Sequence, residues 1–265
     1  MASMRVGIIG FGFIGRYIYE QLVAHPEFGM DVAFVWNRSP ERIADVPRDL
    51  VLEDLDAFAG PDPDLVVEMA HPRISASHGE RFLRQCNYLM LSVTAMADAA
   101  LNRRLVEAAQ HQCTSLFIPH GALVGLDHLY DGRHDWSEVT ITFRKPPASL
   151  DFSQVPTEAT DIVSETLVFE GSVGEAARRF PRNVNTMATC ALASLGFERT
   201  QARLIADPGL EHMSAEVVAV AADGSRLEIR KMERAAGVSG RGMLASQWRS
   251  LQLAALGGRP GINFV

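Results

Sequence analysis

Three glycines near the amino terminus stand at a spacing that can hold a phosphate. The segment from Gly10 through Gly12 to Gly15 reads Gly-Phe-Gly-Phe-Ile-Gly and directly follows a short apolar run typical of a β-strand. Gly10 permits a tight turn, Gly12 lets the backbone approach a pyrophosphate, and Gly15 lets the next helix pack against the strand. Unpaired N–H groups at the start of that helix would face the phosphates. We predict a dinucleotide-binding turn that includes Phe13 and Ile14.

The end of the second predicted strand indicates which dinucleotide this turn would accept. NAD-selective sites usually carry an acidic residue about 20 residues beyond the glycines, where it accepts from the ribose hydroxyls. Here the segment reads Asn37-Arg38-Ser39. Asn37 can bond to a ribose without repelling a phosphate, and Arg38 and Ser39 could hold a 2′-phosphate. Arg38 could instead be a solvated turn residue. We expect NADP or NAD, with NADP favoured.

Composition excludes several other classes of function. The chain has 265 residues, is 47% hydrophobic and 22% charged, and has a formal net charge of -7. Binders of nucleic acid or anionic membranes are usually basic, so we expect neither partner. No apolar run approaches the roughly 20 residues that span a bilayer. The three cysteines are widely spaced and lack metal-ligand spacing, which favours a reducing cytoplasm and no metal site.

The order of predicted strands and helices divides the chain in two. Strand-like apolar runs alternate with helical spacing over about the first 120 residues, as in a doubly wound parallel sheet. Later segments alternate as half-exposed strands do, with a hairpin turn at Asp223-Gly224. We predict an α/β protein: an N-terminal Rossmann domain over residues 1–120 and 243–265, and a second α+β domain with a mixed or antiparallel sheet over residues 121–242.

The most distinctive sequence lies in this second domain. Residues 169–172 read Phe-Glu-Gly-Ser, and residues 180–189 read Phe-Pro-Arg-Asn-Val-Asn-Thr-Met-Ala-Thr. Together with the glycine turn, they resemble the L-aspartate dehydrogenase family, whose members carry an FEGSA…FPKNxNVAAT signature. The likeness covers almost the whole chain in the same order, and it includes residues 68–70, 91–92, 121–127, 142–146 and 205–208.

The resemblance implies a reaction and further cofactor contacts. It implies oxidation of L-aspartate by NAD(P) to iminosuccinate, which water converts to oxaloacetate and ammonia, or the reverse imine reduction. It also implies a homodimer. Ala122 and Asn185 match the family's cofactor-binding alanine and asparagine, and Ala70 and Ser92 lie in matching segments that we expect beside the cofactor. Asn185 could instead cap a helix.

A dicarboxylate amino-acid substrate needs fixed positive charge around it. The basic residues nearest to the matching motifs are Arg144, Lys145 and Arg182. We predict that they bind the substrate's carboxylates, although each could be a surface charge.

The chain departs from the family at the expected acid/base. Family members carry Asn-x-His shortly after the segment at 205–208, whereas this chain reads His212-Met213-Ser214. Imidazole exchanges protons near neutral pH, and a serine hydroxyl needs a base beside it. Residues two apart on a strand share a face, so we predict that His212 replaces the histidine missing at Ser214. His71 ranks second, and His212 could be a surface residue without a role.

The sequence is compatible with two functions. The first is an active amino-acid dehydrogenase that uses His212. The second keeps the fold and the cofactor but acts on another imine or carbonyl, or senses the cofactor without catalysis. The second function is considered because position 214 carries a serine instead of the family's histidine.

Overall fold

Two units divide the chain, and the first is built on six strands. The computed structural model describes residues 3–121, 123–234 and 241–265. Its contacts separate a unit that runs up to Pro119 and resumes over Leu244–Val265 from a unit over His120–Met243. The first unit's strands are β1 (Met4–Ile9), β2 (Met30–Trp36), β3 (Leu65–Glu68), β4 (Asn87–Met90), β5 (Ser115–Ile118) and β11 (Gly261–Phe264). Its helices are α1 (Phe13–Ala24), α2 (Pro72–Leu83), α3 (Ala99–His111) and most of α7 (Arg241–Ala255).

All six strands of this sheet run parallel. Their order is β2-β1-β3-β4-β5-β11, so the chain reverses its direction of travel across the sheet at β1. This is the predicted doubly wound arrangement. In such sheets ligands bind beyond the carboxyl ends of the strands where the order reverses. Here that point lies after Ile9 and Glu68, which pair in register.

Continuous apolar runs explain why these strands form a parallel sheet. Strands covered on both faces lose the alternation seen in half-exposed sheets. Val6, Ile8, Val66, Leu89 and Phe117 are all fully buried. Because β1 contributes on both faces, the backbone at its end is fixed by packing on either side.

The sixth strand was not predicted from the sequence, which indicates only a turn near residue 260. Residues 261–264 pair in parallel with β5. The helix before them, α7, buries Leu251 and Ala254 completely in the unit's core. The Ser250 hydroxyl donates to the Val265 carbonyl over 2.8 Å. The closing segment is therefore an integral part of the first unit.

The second unit carries a five-stranded mixed sheet, as predicted. Its strands are β6 (Trp136–Lys145), β7 (Thr166–Ser172), β8 (Gln201–Ala206), β9 (His212–Ala221) and β10 (Arg226–Arg234). The order is β10-β9-β6-β8-β7, with β6 and β8 parallel and the other pairs antiparallel. A tight turn joins β9 to β10, where Gly224 has φ +87° and the Ser225 N–H donates to the Asp223 carboxylate. The helices are α4 (Leu126–Asp131), α5 (Val173–Arg179) and α6 (Asn185–Leu192).

Alternation along these strands creates two unlike faces. Val139, Ile141 and Phe143 of β6 and Val217 and Ala219 of β9 are buried, and their pairing brings them to one face, here called the covered face. The intervening residues form the opposite, open face, which carries exposed ion pairs such as Glu216 with Arg230. Every polar residue at a strand end is thereby assigned to one face or the other.

Replacing Leu251 by Ala should test whether the closing helix stabilises the first unit. A fully buried leucine lost from a packed core costs about 2–5 kcal/mol. The same change at Leu256, which is 82% exposed, should cost under about 0.5 kcal/mol. Urea unfolding measures both. Equal effects for the two variants would contradict the packing described.

Candidate cofactor and substrate sites

The glycine turn after β1 is held by contacts that only glycine allows. Gly10 adopts φ +94°, and a Cβ on it would lie 2.8 Å from the Met69 backbone. A Cβ on Gly15 would lie 2.0 Å from the carbonyl oxygen of Gly10. The first contact joins the ends of β1 and β3, and the second presses α1 against the turn. Both glycines are thus required by the fold itself.

Gly12 differs, because nothing lies within 4 Å of the place a Cβ would take. It occupies the N-cap position of α1, where no side chain caps the helix and the first turn holds no acidic residue. The side chain of Phe13 is exposed and that of Ile14 half-buried. An open backbone beside an uncapped helix start fits the pyrophosphate of a dinucleotide.

Asn37, directly after β2, forms hydrogen bonds that hold this turn. Its side-chain carbonyl accepts from the Phe11 N–H over 3.0 Å, and its amide donates to the Ser39 carbonyl over 2.9 Å. The Gly10 N–H also donates to the Trp36 carbonyl. An aspartate could accept the first bond but could not donate the second. The amide therefore has a structural task in addition to any contact with a ribose.

An open cavity of about 520 Å³ lies beside Gly12. Its lining combines the glycine turn with the segment after β2: Phe11, Gly12, Phe13, Arg16, Glu41, Arg42, Ala44 and Asp45. Arg16 is paired with Asp45 and lies over the Phe11 ring. Arg42 has no ion-pair partner among the described residues. The position suits the adenosine half of a dinucleotide.

Sequence reasoning missed this group of residues and chose Arg38 instead. Arg38 is exposed and is absent from the cavity lining. Arg16 directly follows the last glycine, and Arg42 lies three residues beyond Ser39. The sequence showed basic residues at both places. Only the structure shows that Arg16 and Arg42, and not Arg38, line the cavity.

A buried carboxylate organises the ends of β3 and β4. Glu68 is completely buried and accepts four hydrogen bonds, from the backbone N–H groups of Ala70, His71 and Ser92 and from the Ser92 hydroxyl, over 2.7–3.1 Å. Burial raises the pKa of the Glu68 carboxyl, and these donors oppose that rise. Ala70 and Ser92, both predicted to contact the cofactor, are thus anchored by one side chain. In the sequence, the acidic residue Glu68 at the end of an apolar strand was the signal for this site.

His71 has a role in starting α2. It occupies the N-cap position, and its Nδ1 accepts from the Arg73 N–H over 3.2 Å. That bond requires an unprotonated Nδ1, so protonating this nitrogen would cost the helix its cap. His71 as an acid/base stays a prediction, with this competing task.

The predicted cations of the second unit differ in their surroundings. Arg144 pairs with Glu165 over 2.8 Å, and Arg182 pairs with Asp151 over 3.2 Å. Lys145 has no carboxylate within ion-pair distance in the described ranges. Its ammonium lies 5.0 Å from the centre of the Phe143 ring, which places it on the covered face. Of the three, Lys145 alone is not already neutralised by a direct partner.

His212 and Ser214 lie on the open face, opposite to Lys145. His212 is exposed at the start of β9, across from Arg234 of β10. Ser214 is 8% exposed and pairs in register with Arg144. They do share a face, as expected for residues two apart. The role of His212 stays a prediction.

Of the two remaining predicted cofactor contacts, only Asn185 is among the described residues. Asn185 is the first residue of α6 and is half-buried, and Val184 holds the N-cap position. The alternative that Asn185 caps the helix is therefore wrong. Ala122 lies outside the described residues. Its neighbour Gly121 has φ +62°, and a Cβ there would approach the Thr186 hydroxyl to 3.0 Å.

Two kinds of feature are absent from the described ranges. No helix there is long and apolar enough to cross a membrane. No group of three or more His, Cys, Asp or Glu side chains is arranged there to hold a metal ion.

Comparison with family models assigns both parts of the chain. Residues 130–245 match the model described as the C-terminal domain of aspartate dehydrogenase. Residues 10–119 match the NAD-binding domain of homoserine dehydrogenase.

Individual relatives agree with this assignment over most of their length. A Danio rerio protein named as containing an aspartate dehydrogenase domain is 32% identical over 94% of both chains. The L-aspartate dehydrogenase of Methanosarcina mazei is 34% identical over 81% of this chain and 82% of its own. The solved aspartate dehydrogenase of Thermotoga maritima has a TM-score of 0.72 and 27% identity, and covers 96% of this chain and 97% of that one.

Gly12→Ala and Gly15→Ala should separate binding from folding. The open space at Gly12 predicts normal melting but NADPH binding weakened about tenfold or more, equivalent to about 1.4 kcal/mol. Gly15→Ala should lower the melting temperature, because its Cβ would collide with a backbone carbonyl. Cofactor fluorescence and thermal unfolding measure the two effects. A Gly12→Ala variant that binds NADPH like the wild type would contradict the assignment.

Proposed function

The chain belongs to the aspartate dehydrogenase family, and from this we propose that it oxidises L-aspartate with NADP or NAD. The family makes it an oxidoreductase that acts on the CH–NH2 group of an amino acid. The proposal extends to a homodimer, as the family resemblance implies, and to the cytoplasm, as the three widely spaced cysteines suggest.

The observation that carries this proposal is the geometry after β1. Gly12 leaves open space at an uncapped helix start, next to a cavity large enough for part of a nucleotide. When bound there, a nicotinamide dinucleotide supplies the acceptor for the hydride that leaves the substrate's Cα. The chain's own part is to orient the cofactor, bind two carboxylates and move protons.

The proposed reaction converts the substrate's Cα–N single bond into an imine. L-Aspartate becomes iminosuccinate, and water then releases ammonia and leaves oxaloacetate. In the reverse direction, the enzyme reduces the imine to the amino acid. Of the three predicted cations, Arg144 and Arg182 are already paired with Glu165 and Asp151, so Lys145 is the one we propose to face the substrate.

We further propose that NADP is favoured over NAD. Asn37 stands where an NAD-selective site usually has a carboxylate. The guanidinium groups of Arg38 and Arg42 have no ion-pair partner among the described residues, which leaves them available to a 2′-phosphate. Glu41 lines the same cavity and would favour ribose hydroxyls instead.

A second candidate function follows from the serine at position 214. A relative that lacks the family's histidine there could reduce another imine or carbonyl, or sense the cofactor without turnover. Tight NADPH binding without any aspartate turnover would favour this candidate.

Purified protein should reduce NADP or NAD in the presence of L-aspartate, and should oxidise NADPH or NADH when given oxaloacetate and ammonia. Nicotinamide absorbance follows both directions. D-Aspartate and L-glutamate serve as controls for the stereochemistry and length of the substrate. No turnover with either cofactor from neutral to alkaline pH would refute the proposal.

Arg38→Ala and Arg42→Ala should identify the phosphate ligand. Loss of one charge-assisted hydrogen bond costs about 1.5–3 kcal/mol, so the dissociation constant for NADPH should rise about tenfold or more, with that for NADH little changed. Glu41→Gln is the matched control and should not weaken NADPH binding. Equal losses for NADPH and NADH would contradict a role in reading the phosphate.

A further inference from the structure

The chain contains only two lysines among its 25 basic Lys and Arg residues. They are Lys145 at the end of β6 and Lys231 near the end of β10. All other fixed cations are arginines. Strand pairing brings both lysines to the covered face, because Lys145 continues the row of Phe143, and Lys231 stands across from Ala215 in the row of Val217. The chain's two primary amines on side chains thus share one face of one sheet.

A single carboxylate links the two lysines. Glu233 lies on the same face of β10, and its carboxylate is 3.5 Å from the Lys231 ammonium. It also interacts electrostatically with Lys145. Two cations therefore share one anion, and their cluster keeps a positive charge near neutral pH. Such a cluster suits an anionic substrate.

The immediate neighbours of Lys145 on adjacent strands carry no charge. Ala206 of β8 is its partner in register, and Met213 of β9 stands beside it in the same row. Burial lowers the pKa of the Lys145 ammonium to about 8, and the Glu233 carboxylate opposes part of that shift. The pKa of His120 is lowered mainly by burial and further by the positive charge of Lys231.

Lysine and arginine differ in their ability to lose a proton, which matters for a residue buried as Lys145 is. A guanidinium stays protonated at any working pH, whereas a buried lysine can give up its proton and act as a base. Arg144 and Arg182, which pair with Glu165 and Asp151, cannot give up a proton in this way. His212, the alternative base, is exposed on the opposite face of the sheet.

We propose that Lys145 is the proton-exchanging catalytic residue of this enzyme, in place of the histidine missing at position 214. The inference rests on the proposed aspartate dehydrogenase function. The neutral amine of Lys145 takes one proton from the substrate's α-ammonium: an N–H bond of the substrate breaks, and its electron pair stays on the substrate nitrogen. That pair then forms the C=N bond of a protonated imine as the hydride leaves Cα for the nicotinamide that the proposed cofactor would supply. In the reverse direction the Lys145 ammonium returns the proton.

Direct titration tests the inference without any turnover. Protein labelled with 13C-lysine has only two lysine side chains to observe, and Lys231→Arg assigns the remaining signal to Lys145. The Cε resonance of Lys145 should titrate with a midpoint near pH 8. A Lys145 signal that stays protonated to pH 10, near the ordinary lysine value, would overturn the inference even if the protein oxidises aspartate.

Kinetics of matched variants then separate proton exchange from simple charge. Lys145→Arg keeps the charge but cannot exchange a proton, so kcat should fall about 10²–10⁴-fold with KM little changed. Lys145→Met should lose the rise of kcat/KM for aspartate oxidation through pH 8. Arg203→Lys, the reverse exchange in an exposed ion pair, should leave activity unchanged.

The outcomes distinguish failure of the inference from failure of the proposed function. If Lys145→Arg keeps its kcat, or if His212→Ala rather than Lys145→Met abolishes the pH dependence, Lys145 is not the proton-exchanging group. If the wild type turns over no aspartate while Lys145 titrates near pH 8, the proposed substrate is wrong. Melting temperature and NADPH binding of each variant show that the fold is retained.

Discussion

The close approach of Gly15 to the carbonyl of Gly10 is the constraint on which the cofactor site depends. It leaves no room for a side chain, so α1 starts close against the end of β1. Gly10 is in turn pressed against the Met69 backbone at the end of β3. The two contacts hold the start of α1 at the point where the strand order reverses. Gly12 can therefore remain open without weakening the fold.

Glu68 fixes the segments that follow the next two strands, β3 and β4. A completely buried carboxylate is costly unless donors satisfy it, and here four donors from residues 70, 71 and 92 do so. The cost of burying the charge is offset only while all these segments keep their positions. Loss of one donor would leave the carboxylate under-satisfied, so the loops after β3 and β4 are held together. Rigid strand ends of this kind favour precise placement of a bound ring.

In the second unit, the paired arginines and the two lysines have different surroundings. Arg144 and Arg182 each have a carboxylate partner, so the positive charge of each is already balanced. Among the described residues, Lys145 and Lys231 share the single carboxylate of Glu233 on the covered face. An acidic protein can bind a dianion only where a local excess of positive charge survives. On the covered face, the two lysines and Glu233 form such a local excess.

The sequence by itself determined the parallel sheet, the glycine turn and the family, because these depend on local patterns: apolar runs, three glycines at fixed spacing, and short motifs in order. It did not reveal β11, whose four residues gain strand structure only from pairing with β5. It also could not rank Arg144, Lys145 and Arg182, since neighbouring residues on a strand point to opposite faces and their partners lie far away in the chain. Only strand register brought Lys145 and Lys231 to one face and left His212 on the other. Long-range pairing decides which charges meet, and that is a property of the tertiary structure.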